Sequence, residues 1–330
     1  MDGAPDLARI DAARDRTAAI VRRTPTVPLA DGNRTLWLKL ELLQPIASFK
    51  LRGASAAVTA APPEATRAGL LTASAGNMAQ GAAWMARHLG VPCSVVVPET
   101  APRAKLERIA ALGAESIPVS FDRWWQTFSD RSYPGMEERF FVHPFLDTEV
   151  MAGNGVIARE LAEDLPAAVD AVLVPWGGGG LACGIAAGLR ALRPGTRVYA
   201  VEVEGAAPLA ASLAPGEVVS IDYRPSFVDG IGSKTVFPEM LELARELLAG
   251  SLVVPVEAVA GAVRLLAERA RVVAEGAGAA AVAAAPLLDD AQVACVVSGG
   301  NIDSAKLAKI LAGGRPDPGL TIPPPDATME

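Results

Sequence analysis

Ala171-Val172-Leu173-Val174-Pro175-Trp176-Gly177-Gly178-Gly179-Gly180-Leu181 passes from a short valine-rich run through four glycines into a helical pattern. That pattern continues to residue 192 and stops before Pro194. A buried strand feeding a helix through a tight connection is half of a βαβ unit. The same grammar recurs outward in both directions. Residues 36–40, 94–97, 198–203 and 293–297 read as buried strands. Residues 51–60, 77–89 and 103–112 read as helices, the last two stopped by Gly90 and Gly113. Strands alternating with helices imply a parallel sheet covered on both faces, so the fold class is α/β.

Four consecutive glycines are costly unless something needs bare backbone. Glycine permits positive φ and lets several N–H groups converge on an oxyanion at the positive end of a helix. The loop lacks the Lys-Ser/Thr ending of a nucleotide P-loop and the G-x-G-x-x-G spacing of a dinucleotide site. A phosphate monoester is therefore the better ligand, with a tight turn under close helix packing as the alternative. In parallel sheets ligands sit where strands end and helices begin. Two further loops occupy such places: Ser74-Ala75-Gly76-Asn77, which opens a helix, and Ser298-Gly299-Gly300-Asn301, which follows the strand ending at Val297.

The 330 residues are enough for two domains, and 51% are hydrophobic with only 5% aromatic, so the core must be built largely from Ala, Val and Leu. The net charge of −7 is spread along the chain, which argues against a nucleic-acid partner. No basic start with an apolar run marks a secretory signal, and no apolar run approaches the roughly 18 residues of a membrane span. Cys93, Cys183 and Cys295 are odd in number and each lies in an apolar run, so buried free thiols and a cytoplasmic location are expected. With His88 and His143 the only histidines and no carboxylate or serine beside either, both read as structural, and no metal site is expected.

Lys50 lies in Ser48-Phe49-Lys50-Leu51-Arg52-Gly53-Ala54, where an apolar neighbourhood would lower its pKa enough for nucleophile and base work; the alternative is a solvated surface lysine. Ser74 to Asn77 combines small residues, an amide and a helix N-terminus, suited to a carboxylate or to an ordinary cap. Ser298 offers a hydroxyl to a ring nitrogen, or merely ends its strand. Glu275, in Ala274-Glu275-Gly276-Ala277-Gly278, is a lone carboxylate in an apolar stretch and needs a partner or a role. A reactive lysine, a polar loop rich in backbone groups and a phosphate-sized glycine loop are the parts needed to hold pyridoxal 5′-phosphate.

In order and spacing these segments resemble the fold-type II pyridoxal-phosphate enzymes of the threonine dehydratase and serine racemase group. The resemblance runs from about Thr24 to Leu311 and rests on Lys39-Leu40-Glu41 with Gln44, on the Lys50, Ser74, tetraglycine, Glu275 and Ser298 segments, and on His143-Pro144-Phe145. It implies a tryptophan-synthase-β-like architecture of two α/β domains with the cofactor between them: residues 1–69 and 142–330 as the large domain, 70–141 as a small inserted one. By resemblance, Lys50 carries the cofactor and moves the Cα proton, while Phe49 packs on the pyridine ring. Asn77 bonds the ring hydroxyl, Gly177, Gly178, Gly179, Gly180 and Leu181 hold the phosphate, and Ser298 faces the ring nitrogen. Ser74, Ala75, Gly76, Asn77 and Met78 bind the substrate. The implied activity is an ammonia-lyase that removes water from a β-hydroxy amino acid such as L-threonine or L-serine, giving a 2-oxo acid and ammonia. The alternatives are a β-replacement synthase and a non-catalytic binding protein on the same fold. A homodimer is expected by the same resemblance.

The chain departs from that pattern in places. Met78 stands where a histidine is usual. Ala75 stands where resembling racemases carry a second serine as proton donor, which favours a lyase. Ala210 replaces the acidic partner that Glu204 would need to hold a divalent cation. Trp176 precedes the glycines where a smaller residue is common, and Ile46-Ala47 stands for the usual Thr-Gly before Ser48. The aromatic stretch from Phe121 to Phe128 has no counterpart. Within it, Arg123 reads either as a substrate-carboxylate contact or as a solvated surface charge.

Overall fold

In the computed structural model, residues 3–32, 34–166, 169–289 and 292–316 are described; the stretch from Pro316 to Glu330, whose proline-rich and polar composition reads as a poorly ordered tail, lies outside them from residue 317 onward. Ten strands are found there: β1 (Thr26–Asp31), β2 (Arg34–Lys39), β3 (Leu70–Ala73), β4 (Cys93–Pro98), β5 (Glu115–Val119), β6 (Phe140–Phe141), β7 (Ala171–Pro175), β8 (Arg197–Val203), β9 (Gly250–Val254) and β10 (Gln292–Val296). They form a six-stranded sheet in the order β1-β2-β10-β7-β8-β9 and a four-stranded sheet in the order β5-β4-β3-β6. β1 and β2 pair antiparallel, and every other pairing is parallel.

β10 lies in the middle of the larger sheet, with Val293 opposite Leu36 on one side and Ala171 on the other. Both faces are covered, which is why its run from Val293 to Val296 is buried and uninterrupted by polar residues. The strands read from sequence all form, with boundaries shifted by no more than two residues. The five unread ones are short, half-exposed or interrupted. β1 and β5 each carry a proline, Pro28 and Pro118, and both are edge strands, where a missing N–H costs no ladder bond.

The helix Asn77–Leu89 has the expected bounds and ends at Gly90 with φ +70°, the left-handed stop that glycine accepts. The helix Lys50–Ala60 begins one residue earlier than expected, so Lys50 is its first helical residue. Its first turn is tied down by buried charges. The Arg52 guanidinium donates to Glu41 at 2.7 Å and to Glu160 at 2.8 Å, and Lys39 Nζ donates to Glu160 at 2.5 Å. All four side chains are nearly inaccessible. Burial pushes the Glu41 carboxyl up, but Arg52 beside it more than offsets this and holds it below the usual range. Removing one member of such a network costs about 3–5 kcal/mol, because the remaining charges stay buried without partners. The Lys39-Leu40-Glu41 motif thus works at a distance, fixing the helix that starts at Lys50. The alanine-rich helix Gly276–Ala284 packs against the larger sheet with almost every residue buried, its small side chains allowing close approach. Among the described residues no helix is long and apolar enough to cross a membrane.

Candidate active site

Two loops far apart in sequence build the floor of the site. Phe49 N–H donates to the Ser298 carbonyl at 3.0 Å, Gly300 N–H donates to the Ala47 carbonyl at 2.9 Å, and Ser48 bridges Gly299. Ala47 adopts φ +53°, a left-handed conformation for a residue with a Cβ. Lys50 follows directly. Its Nζ donates to the Pro144 carbonyl at 2.8 Å and lies 5.1 Å from the Phe49 ring centre. Burial pushes its pKa down to about 8, because no carboxylate is near enough to stabilise the ammonium.

The Pro144 carbonyl is presented by a turn organised by His143. Its Nδ1 accepts the backbone N–H groups of Phe145 (3.2 Å) and Leu146 (2.8 Å), which places the imidazole proton on Nε2. Burial, helped by the charges of Arg131 and Lys50, pushes the His143 pKa down to about 3, so the ring stays neutral and keeps accepting. His143 is structural, as the sequence implied, and the structure it holds is the lysine's own partner. His88 stacks on Trp84 away from the site.

The tetraglycine lies against the opposite wall. Gly179 has φ +90° and caps the helix Gly180–Leu192. A Cβ on Gly178 would sit 2.2 Å from the Phe145 ring, and one on Gly179 2.5 Å from the Trp176 indole. Close packing therefore accounts for glycine at these two positions. Gly177 has only ordinary contacts, the nearest at 3.7 Å, and the loop still offers its N–H groups at the positive end of a 13-residue helix.

The Ser74 hydroxyl accepts the Gly76 N–H at 3.2 Å, closing a small turn that delivers the chain to the start of the helix Asn77–Leu89. Asn77 donates to Glu275 Oε1 at 2.8 Å and accepts from Asn301 Nδ2 at 2.8 Å. Glu275 has the partner its sequence context required. Burial, reinforced by the charge of Asp229, pushes its pKa up to about 7. Asp229 in turn pairs with Lys105 at 3.1 Å.

Every residue expected at the site, from Phe49 and Lys50 through 74–78 and 177–181 to Ser298, lines one cavity of about 340 Å³. Met78 is buried and packs with the core around Ala79 and Leu51 while reaching the lining. Arg123 does not reach it: the guanidinium donates to Gln126 at 2.7 Å and covers the Tyr133 ring. Glu204 faces Arg224 at 3.6 Å, both largely exposed, and Cys93, Cys183 and Cys295 are buried thiols whose pKa values burial raises.

Sequence reasoning missed the rings that complete the lining: Trp124, Trp125 and Phe128 from the helix Phe121–Asp130, and Phe145 and Phe237 facing them. A signal was present. Phe121, Trp124, Trp125 and Phe128 are spaced i, i+3, i+4, i+7 and so share one helix face.

A largely parallel α/β fold in which a lysine amine, a glycine loop and a helix N-terminus converge on one cavity is that of a fold-type II pyridoxal-phosphate enzyme. The chain matches the family described as "Pyridoxal-phosphate dependent enzyme" over residues 18–299 and belongs to it. It is 39% identical over 257 residues to the L-threonine dehydratase biosynthetic IlvA of Burkholderia multivorans, covering 76% of this chain and 50% of that one. It is 38% identical to the L-threonine ammonia-lyase of Thermotoga maritima, covering 76% and 62%. The chain therefore spans only about half to three-fifths of these curated relatives. Among solved structures, maize serine racemase superposes with a TM-score of 0.86 at 29% identity, covering 94% of this chain and 98% of that one. The processed form of threonine deaminase isoform 2 from Solanum lycopersicum gives 0.82 at 28%, covering 95% and 91%.

The residues present fit pyridoxal phosphate. The lysine amine has a depressed pKa, the glycine loop opens a helix, and the Ser298 side chain lines the same cavity.

Proposed function

We propose that the protein is an ammonia-lyase that removes water from a β-hydroxy amino acid and releases a 2-oxo acid and ammonia. The observation carrying this reading is the convergence of Lys50, the 74–77 loop and Gly177 to Gly180 on one cavity. The names of the curated relatives, threonine dehydratases and ammonia-lyases, support it. When bound, pyridoxal phosphate supplies an electron sink that makes the Cα–H bond acidic. The glycine-loop N–H groups hold the phosphate, and the loop from Ser74 to Asn77 holds the substrate carboxylate. Asn77, fixed by Glu275 and Asn301, is set to orient the pyridine ring. Lys50 takes the Cα proton, a task suited to an amine with a pKa of about 8. The Cα–H and Cβ–O bonds break, water leaves, and hydrolysis of the released enamine gives oxo acid and ammonia. Ser298, a neutral hydroxyl, favours prompt loss of the β-substituent.

We also propose residues 1–69 and 142–330 as the large domain and 70–141 as the small one. The four-stranded sheet, built wholly from strands between Leu70 and Phe141, supports that division. A cytoplasmic homodimer completes the proposal, its mass to be read by sedimentation.

The test is 2-oxo acid release by cofactor-loaded protein from L-threonine and L-serine beside a Lys50→Ala control. Release by the native protein, lost by at least about a thousandfold in the variant, is expected. An active Lys50→Ala protein overturns the assignment of Lys50. New amino acids formed from an added thiol in place of oxo acid would make the protein a β-replacement synthase.

A further inference from the structure

The rings lining the cavity form one continuous wall that starts at the reacting lysine. Lys50 Nζ donates to the Pro144 carbonyl, and the next residue, Phe145, packs edge-on to Phe237 at 5.3 Å between ring centres and lies 5.7 Å from Phe128. Phe128 stacks on Trp125 at 5.2 Å and touches Trp124 at 5.8 Å; Trp125 closes the circuit to Phe237 at 5.9 Å. All five line the cavity, together with the buried thioether of Met78. A wall of aromatic rings beside empty space forgoes the contacts that an aromatic partner at the usual 4.5–7 Å would supply. The Trp124 indole N–H adds a second, independent mark: it is buried with no hydrogen-bond partner among the described residues. A buried donor left unpaired costs about 1–3 kcal/mol, a cost an acceptor on a bound molecule would remove.

We propose that the site takes an amino acid bearing an aryl group on Cβ, so that, on the lyase reading above, the substrate is a 3-arylserine rather than a β-hydroxy amino acid ending in a methyl group. The ring lies along Trp125, Phe128 and Phe237, and the carboxylate stays at the start of the helix Asn77–Leu89. Trp124 is the place where a polar ring substituent finds a donor. The competing account is that the rings only cement the helix Phe121–Asp130 to the segments that carry Phe145 and Phe237. Cement has no preference among ligands.

The decisive experiment separates binding from water loss. Cofactor-loaded protein is titrated with L-phenylalanine and with L-2-aminobutyrate, neither of which carries a leaving hydroxyl, and the cofactor absorbance and tryptophan fluorescence are followed. L-Phenylalanine is expected to bind at least about tenfold more tightly. Trp125→Leu, and independently Phe237→Leu on a different segment, should erase most of that gap. Equal affinities, or a preference for 2-aminobutyrate, would overturn the aryl assignment. A gap that survives both variants would overturn the role given to the wall. Oxo acid release from L-threo-3-phenylserine with a higher kcat/KM than from L-threonine is the second expected result; a higher value for L-threonine would overturn the proposal while leaving the lyase intact. Tight phenylalanine binding with no oxo acid from any β-hydroxy amino acid would sustain the aryl site and sink the lyase reading.

Discussion

Ala47 holds φ +53° immediately before the lysine segment, with its N–H bonded to the Gln44 carbonyl at 2.8 Å and its carbonyl taken by Gly300. A left-handed conformation costs a residue with a Cβ roughly 1–2 kcal/mol, whereas glycine adopts it freely but loses more chain entropy on folding. The first effect is the larger, so Ala47→Gly should raise stability by about 0.5–1 kcal/mol. A higher denaturation midpoint with an unchanged slope would show it; a lower midpoint would mean that no strain is held there. The sequence marked this position as a departure, Ile46-Ala47 where Thr-Gly is usual, without disclosing that the backbone had kept the shape a glycine would suit. Other residues divided the same way. Lys50, Asn77 and Ser298 each had an ordinary alternative when read singly, and it was the combination and order of their segments that marked them as one site, all three lining the same cavity. The service of His143 to Pro144 was not legible, because an imidazole acceptor for two backbone N–H groups leaves no trace in spacing.

At the scale of the element, the start of the helix Gly276–Ala284 shows two effects opposing each other. Glu275 is its N-cap, where the helix dipole favours a negative charge. The side chain instead turns to Asn77, and burial together with Asp229 raises its pKa from 4.5 to about 7. Between those values the folded protein holds a proton that the unfolded chain has lost, so stability falls as pH rises through this window and levels off above it. The change is on the order of 3–4 kcal/mol. Glu275→Gln keeps an acceptor for Asn77 but cannot ionise. Its melting temperature should stay level from about pH 5 to about pH 8, where that of the wild type declines. Parallel curves for the two proteins would refute this. Elements with a clean pattern were readable: Asn77–Leu89 to the residue, and the buried strands β7, β8 and β10 nearly so. The aromatic helix Phe121–Asp130 was seen only as an aromatic run, because its partners Phe145 and Phe237 lie in separate segments and contact between them is a tertiary fact.

Across the whole molecule, the smaller sheet is joined to the rest by apolar packing of the helix Lys50–Ala60 on the helix Asn77–Leu89 and, beside the cavity, by polar contacts. Arg108, on the helix between β4 and β5, donates to the Asn301 and Ile302 carbonyls at 3.1 and 3.2 Å, and Lys105 on the same helix pairs with Asp229. Hydrogen bonds from a charged donor contribute about 1.5–3 kcal/mol. Arg108→Ala should therefore speed amide exchange in the helix Arg103–Ala111 and the loop at 299–303 by about tenfold or more. Exchange in β7, β8 and β10 should not change. Uniformly faster exchange would mean that Arg108 supports global stability rather than the junction. β10, the latest strand of the described chain, occupies the middle of the larger sheet, and the loop after it stitches to the segment before Lys50. A growing polypeptide thus carries its lysine out of the ribosome early, with no finished floor beside it. The floor is completed only when β10 inserts between β2 and β7, a closure over long sequence separation that comes late in folding. Capture of the cofactor can then act as a check that the chain through β10 has been made and has folded.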